Sequence, residues 1–450
     1  MAKRPKKAPE SEQVEHRDEV DRFFGLTEAG TRLETEFRAG LTTYLTMAYI
    51  IFVNPAILSQ AGMDFGSVFV ATCLAAAAGS ALMGLLANYP IAQAPGMGLN
   101  AFFAFTAVPL MGGSWQTALG CVFIAGVLFF ILSLTPFREW LINAIPKELK
   151  LGIAAGIGFF LAIIGLQGAG VIQADSETLV TLGDLSTPST IFACVGFLLM
   201  VALYARGFPG AILIGIFFIT VVAIATGQQP LTKLAAEPPS IAPTFLQMDL
   251  LGALAPAFIT VIFTFLLLDV LDTAGTLIGV GERAGLLDEE GHLPRLRRAL
   301  LADSGATVIG AALGTSTTTS FIESAAGIQE GGRTGLTAVF VAVFFVLSIA
   351  LAPLAQTVPT YATAPALVFV ACMMIACLKS VSWEDVTEYV PVAVIAITMP
   401  LTFSIATGIG LGFVTHTALK ILTRRFSEIN GAVALIAALF LVMLALGQTG

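Results

Sequence analysis

Apolar stretches long enough to cross a bilayer, about 20 residues each, follow one another from residue 39 onward with polar turns between them. The pattern predicts fourteen membrane-spanning segments: 39–59, 65–86, 88–108, 115–134, 149–169, 190–204, 209–226, 256–280, 299–313, 314–327, 335–351, 361–378, 389–403 and 405–422. A further apolar run at 432–446 fits either an added span or an interfacial helix. Two segments break the pattern from within. The third contains Pro90 and Pro95, which forbid a continuous helix. The tenth carries six hydroxyl residues, Thr315 to Ser320, and then Glu323. A run of β-branched residues favours extended backbone, and helix-compatible composition resumes at Phe321. Both segments are therefore predicted to be extended first and helical afterwards, with Glu323 in the first turn of the second half-helix. A half-helix starting at membrane depth presents free N–H groups and partial positive charge there. Bare backbone at that depth must be shielded by protein or water. The extended pieces 89–94 and 315–320 are each the nearest partner for the other.

Seven segments precede the polar loop 227–250 and seven follow it, and the broken segment is third in each half. An odd number per repeat turns the second copy upside down, a plan common among secondary transporters. The spacing agrees roughly, with 46 residues from Asn54 to Asn100 and 51 from Asp272 to Glu323. The fold class read from the pattern is an all-α polytopic membrane protein. It has about fourteen segments in two inverted seven-segment repeats, with short extended strands leading into half-helices in segments 3 and 10.

Composition agrees: 56% of residues are hydrophobic and 12% charged, where soluble proteins carry about 25% charged residues. The net charge of −8 comes without a basic stripe and argues against a nucleic-acid partner. With the N-terminus in the cytoplasm, every Lys and Arg except Lys233 falls on the inner side, as the positive-inside rule requires. That predicts a multi-pass protein of the cell inner membrane. Residues 1–38 are polar and lack the apolar core of a signal peptide; they read as a cytoplasmic tail with a surface helix over 21–33. The five cysteines sit in apolar segments as small hydrophobes. No spacing points to a metal or a cofactor, and no nucleophile–base pair points to a membrane enzyme.

The polar residues inside the spans carry the chemistry. Asp269 and Asp272 lie three apart in the eighth segment and share one helix face. Each costs roughly 2.5–3.5 kcal/mol at the centre of a membrane helix, and no Lys or Arg of that segment offsets them. With Glu323 they form three carboxylates able to accept hydrogen bonds from an N–H-rich solute. They can also hold a proton, because burial and neighbouring negative charge disfavour the ionised form. Asp269, Asp272 and Glu323 are thus the proton-coupling candidates, with Na⁺ as the alternative ion. Asn100 adds a donor and an acceptor on the other half-helix. Asn54, before Pro55, reads as a stabiliser of a broken helix end. His16 and His292 fall in the tail and a loop, and His416, in the last span, is a weaker relay candidate.

These motifs resemble one family. Residues 37–55 (Phe-Arg-Ala-Gly-Leu-Thr-Thr-Tyr-Leu-Thr-Met-Ala-Tyr-Ile-Ile-Phe-Val-Asn-Pro), 94–103, 269–277 and 314–327 are similar to the nucleobase/ascorbate transporters, in the branch of AzgA-like adenine–guanine–hypoxanthine permeases. The resemblance runs from about residue 24 to 425. It implies a core domain (39–135 and 254–351) and a gate domain (136–227 and 354–424). Between them falls an extracytoplasmic loop (228–253), with 425–450 left unplaced. It also implies a purine site between the third and tenth segments, with Asn100, Asp269, Asp272 and Glu323 as substrate-binding residues. The expected function is import of adenine, guanine or hypoxanthine by proton symport. An anion transporter or channel of the same fold, or a Na⁺-coupled carrier of xanthine or uracil, is the alternative. The expected partners are the purine, the proton and the lipid bilayer, and a homodimer stays open.

Overall fold

The computed structural model describes residues 19–112, 114–135, 145–230, 237–286 and 293–445. Residues 1–18, with His16, and His292 and Lys233 in their loops, lie outside the described residues, and the surface helix expected over 21–33 is instead a short helix, Glu19–Phe24, followed by a turn at 25–30. The first span is two helices, α1 (Leu33–Met47) and α2 (Ile50–Ser59). Next come α3 (Phe65–Leu82), capped by Asp64, and the strand β1 (Gln93–Pro95), followed by the half-helix α4 (Met97–Phe102). The first half continues with α5 (Trp115–Ser133) and α6 (Lys147–Gly168), a hairpin of β2 (Ile172–Asp175) and β3 (Leu179–Leu182), then α7 (Pro188–Ala205) and α8 (Ala211–Ala225). The second half has α9 (Ile259–Arg283), α10 (Leu296–Leu313), β4 (Thr318–Ser320) and the half-helix α11 (Ser324–Gln329). It ends with α12 (Gly335–Ser348), α13 (Thr360–Ile375), α14 (Val386–Thr402), α15 (Ile405–Leu422) and α16 (Gly431–Ala445).

Nine helices among the described residues are long and apolar enough to cross a membrane. The other five of the fourteen expected segments are the two half-helix regions, the shorter α8 and α14, and α10, whose start carries Arg297 and Arg298. The inverted plan holds where it matters: β1 pairs antiparallel with β4, Gln93 facing Ser320 and Pro95 facing Thr318. Each strand thus supplies the other's missing backbone partners at membrane depth.

Three more expectations need correction. The first span starts at Leu33, six residues early, because Glu36 is fully buried and caps the start of α12. It accepts hydrogen bonds from the backbone N–H of Arg333 at 2.9 Å and of Thr337 at 3.1 Å. The break in that span lies at Ala48–Tyr49, not at Asn54–Pro55. There the turn tightens, with Ile51 bonding back to Ala48 and Phe52 to Tyr49, and Pro55 sits inside α2. Glu323 holds the N-cap position of α11 rather than its first turn. The hairpin β2–β3 was not expected.

Packing divides the helices into two sets. In one, α10 packs on α3 and α5, and α12 on α1 and α3. In the other, α6 packs on α13 and α14, α7 on α8, and α14 on α15. As far as it is described, the run 432–446 forms the helix α16 (Gly431–Ala445), packed on α15 with Phe440 over Gly410. Glycine allows the tightest approach in the first set: a Cβ on Gly335 would stand 2.0 Å from the carbonyl oxygen of Gly84.

Candidate functional site

The paired strands hold the two half-helices nose to nose, and polar side chains gather around them. Backbone at Gly96 continues the pairing, its N–H donating to the Thr317 carbonyl at 2.9 Å. Only glycine fits there, since a Cβ would lie 2.7 Å from Thr319 Cγ2. Asn100, on α4, is completely buried. Its Oδ1 accepts a short hydrogen bond from Ser316, whereas its Nδ2 has no partner. Across from it, Glu323 is half-buried and its Oε1 accepts the Tyr49 hydroxyl at 2.6 Å. The break in the first span is what turns Tyr49 toward the second half-helix.

The two aspartates of α9 part company despite sharing a face. Asp272 is exposed, within electrostatic reach of Glu323. Asp269 is 2% exposed; its Oδ2 accepts from Thr307 at 3.1 Å and its Oδ1 has no partner. One turn of helix separates a buried carboxylate from an exposed one.

Sequence reasoning missed a fourth carboxylate. Asp303, on α10, is fully buried. It accepts hydrogen bonds from Gln93 at 2.8 Å, Ser320 at 2.9 Å and Thr273 at 2.5 Å, and so ties both strands and α9 together. The signal was present: Asp303 falls inside the predicted ninth span, and an ionisable residue there is functional by default. Asn54 also does more than mend a helix, since its Nδ2 reaches Thr72 at 2.7 Å and Thr315 at 2.8 Å. His416 lies elsewhere, buried on α15 near Glu388 and Lys420 with both ring nitrogens unpartnered.

Among the described residues, no Lys, Arg or His hydrogen-bonds or ion-pairs with any of the four carboxylates. No group of acids and histidines that could hold a metal ion occurs there either. A cavity of about 310 Å³ opens at the far end of α2, between Phe52, Gln60 and Gln356, and none of the four acids lines it. Carboxylates thus gather at the strand pair, and the buried Asn100 Nδ2 beside it is without a partner.

A permease-family model matches residues 34–411. The chain is 46% identical over 421 residues to adenine permease AdeQ of Escherichia coli K12, covering 94% of this chain and 95% of that one. It is 45% identical over 430 residues to guanine/hypoxanthine permease PbuO of Bacillus subtilis 168, covering 94% and 99%. In fold it is similar to the transmembrane domain of the cyanobacterial bicarbonate transporter BicA, with a TM-score of 0.64 at 15% identity over 84% of this chain and 97% of that one. With nearly its whole length matched, the chain belongs to the permease family and is a multi-pass membrane transporter.

Proposed function

We propose that the protein imports purine nucleobases by proton symport across the cell inner membrane, with its N-terminus in the cytoplasm. The observation that carries the reading is the acceptor-rich, cation-free setting of the strand pair. A purine presents ring and exocyclic N–H donors together with ring-nitrogen acceptors in one plane. Asp272 and Glu323 suit the donors, and the unpartnered Nδ2 of Asn100 suits an acceptor. Relatives named as adenine and as guanine/hypoxanthine permeases support the same class of substrate. An anion would want a base at the half-helix starts, and acids stand there instead, which weighs against the anion alternative despite the shared fold.

The two packing sets serve as the moving parts. The set around α1, α3, α5, α9, α10 and α12, with the strands and half-helices, is the core that carries the site. The set around α6–α8 and α13–α15 is the gate it moves against. The coupling proton rides on a carboxylate of α9, Asp269 or Asp272, while Glu323 mainly binds substrate. The distribution of Lys and Arg supports the orientation.

Proteoliposomes test the coupling. With an acid exterior and sodium-free buffer, labelled hypoxanthine is expected to accumulate, and a protonophore to collapse the accumulation. Uptake that ignores the pH gradient and follows Na⁺ would overturn the proton assignment. Failure to take up any purine would overturn the substrate class.

A further inference from the structure

One face of α2 runs from the site to the cavity at its far end. Tyr49, which donates to Glu323, is the residue before the helix, and Phe52, Ala56, Ser59 and Gln60 line the cavity. Steps of three and four put all five on one stripe. From Tyr49 to Gln60 the stripe is about 16 Å long at the rise of a helix. Phe52, one turn from Tyr49, is the floor of the cavity on this stripe. It is fully buried, tilted against Phe69 of α3 at 6.1 Å and edge-on to Phe217 of α8 at 5.5 Å. The other walls are the start of α3 with Phe65, the turn after α12 with Gln356, and the start of α13 with Thr360.

The cavity thus lies on the seam between the two packing sets, where α13 packs on α2 and Phe217 of α8 meets Phe52. With the N-terminus in the cytoplasm, this end of α2 faces the extracytoplasmic side. At about 310 Å³ the cavity is at the small end of those that take small molecules. Phe52 and Phe65 supply aromatic surface, on which any flat base can stack. The side chains of Gln60 and Gln356 are exposed, and each amide offers both donors and an acceptor. Among the described residues no Lys, Arg or His lines the cavity. Its one acid, Asp64, is engaged in capping α3, accepting from the Ser67 N–H at 2.8 Å and hydroxyl at 2.6 Å. An anion finds no cation here, and a purely apolar solute leaves the amides unused.

We propose that this cavity is a second purine site, a waiting site on the extracytoplasmic approach to the strand pair. Its ligand is a neutral, flat nitrogen heterocycle, held by its face on the aromatic rings and by its edge on the two amides. The way onward follows the stripe of α2 past Phe52 to Tyr49 and Glu323. Phe52 closes that way while its ring is packed between Phe69 of the core and Phe217 of the gate, and movement of the gate against the core releases one of the two contacts. A stop on the path leaves the free energies of its two ends as they are. It therefore speeds arrival at the transport site and departure from it alike, and does not alter the equilibrium affinity there.

This inference rests on the purine and orientation readings, and the tests separate the three. Protein that binds neither labelled adenine nor labelled hypoxanthine fails the purine reading itself. An impermeant thiol reagent that reaches Gln60→Cys only after cell lysis fails the orientation. For the cavity, the purified full-length protein is photolabelled with 8-azidoadenine and the labelled peptides are mapped. Label is expected within 52–66 or 355–363 as well as at the strand pair, and excess hypoxanthine should remove both. Glu323→Gln should weaken the label at the strand pair and leave the cavity label. The double variant Gln60→Leu, Gln356→Leu should do the reverse, and both residues are exposed, so core packing is spared. Label confined to the strand pair would overturn the waiting site, and so would cavity label that hypoxanthine leaves in place. In cells making the protein, the double variant should take up labelled hypoxanthine about tenfold more slowly at low concentration, two neutral hydrogen bonds being lost. Its equilibrium affinity, measured on purified protein, should stay that of the wild type. Wild-type uptake would overturn the place of the cavity on the entry path. Weakened equilibrium affinity would make the cavity part of the transport site and overturn the waiting role.

Discussion

Replacing Glu323 with Gln isolates what its charge does for binding. The carboxylate has about four acceptor sites, and one is taken by the Tyr49 hydroxyl at 2.6 Å. Gln keeps one oxygen, enough to hold Tyr49, and presents an N–H₂ where the carboxylate had offered its second oxygen to the purine. A purine N–H would then meet a donor. A hydrogen bond to a charged group contributes about 1.5–3 kcal/mol, so binding should weaken by about 10- to 150-fold. Tyr49→Phe acts through the same carboxylate, leaving it free to turn away, and should weaken binding less. Two residues acting through one contact are not additive. The double variant should therefore bind no worse than Glu323→Gln alone. Equilibrium binding of labelled adenine and hypoxanthine to purified protein measures all three, with thermal unfolding as the control for folding. Wild-type affinity in Glu323→Gln would remove Glu323 from the site. Strict additivity in the double variant would refute the positioning role of Tyr49.

Two further outcomes concern stability. Gly335→Ala pushes a Cβ to 2.0 Å from the Gly84 carbonyl and 2.8 Å from Asn88 Cα, both backbone, and should cost about 1–3 kcal/mol; an unchanged melting midpoint in detergent would refute that close approach. At the start of α14, hydrogen bonds from Arg425 and from Thr387 hold the Asp385 carboxyl well below the usual carboxylate range. Its folded value is depressed, so its contribution is present above the ordinary value near pH 4 and fades as pH falls below it. Asp385→Asn should lower stability at neutral pH and flatten the acid side of the profile, and a profile parallel to the wild type would refute the cap.

How much of this was legible in the chain follows from what each signal depends on. Apolar length depends on composition alone, so the spans could be placed within a few residues. The strand pair could be anticipated because Pro90, Pro95 and the hydroxyl run forbid or disfavour helix just where bilayer depth demands paired backbone. The break in the first span could not. Proline draws the eye to Asn54–Pro55, yet a proline removes only its own N–H, and the kink settled a turn earlier, where Tyr49 gains the Glu323 carboxylate. The division between Asp269 and Asp272 was hidden for a different reason. A spacing of three puts both on one face, but what each carboxylate meets depends on the elements that pack against α9, β4 and α5 among them. Asp303 is the opposite case, plain in the sequence as an acid inside the predicted span 299–313. Its burial makes sense only once Gln93, Ser320 and Thr273 arrive from three separate elements to satisfy it. A charge in a membrane span announces that a partner exists, and only the fold says which one.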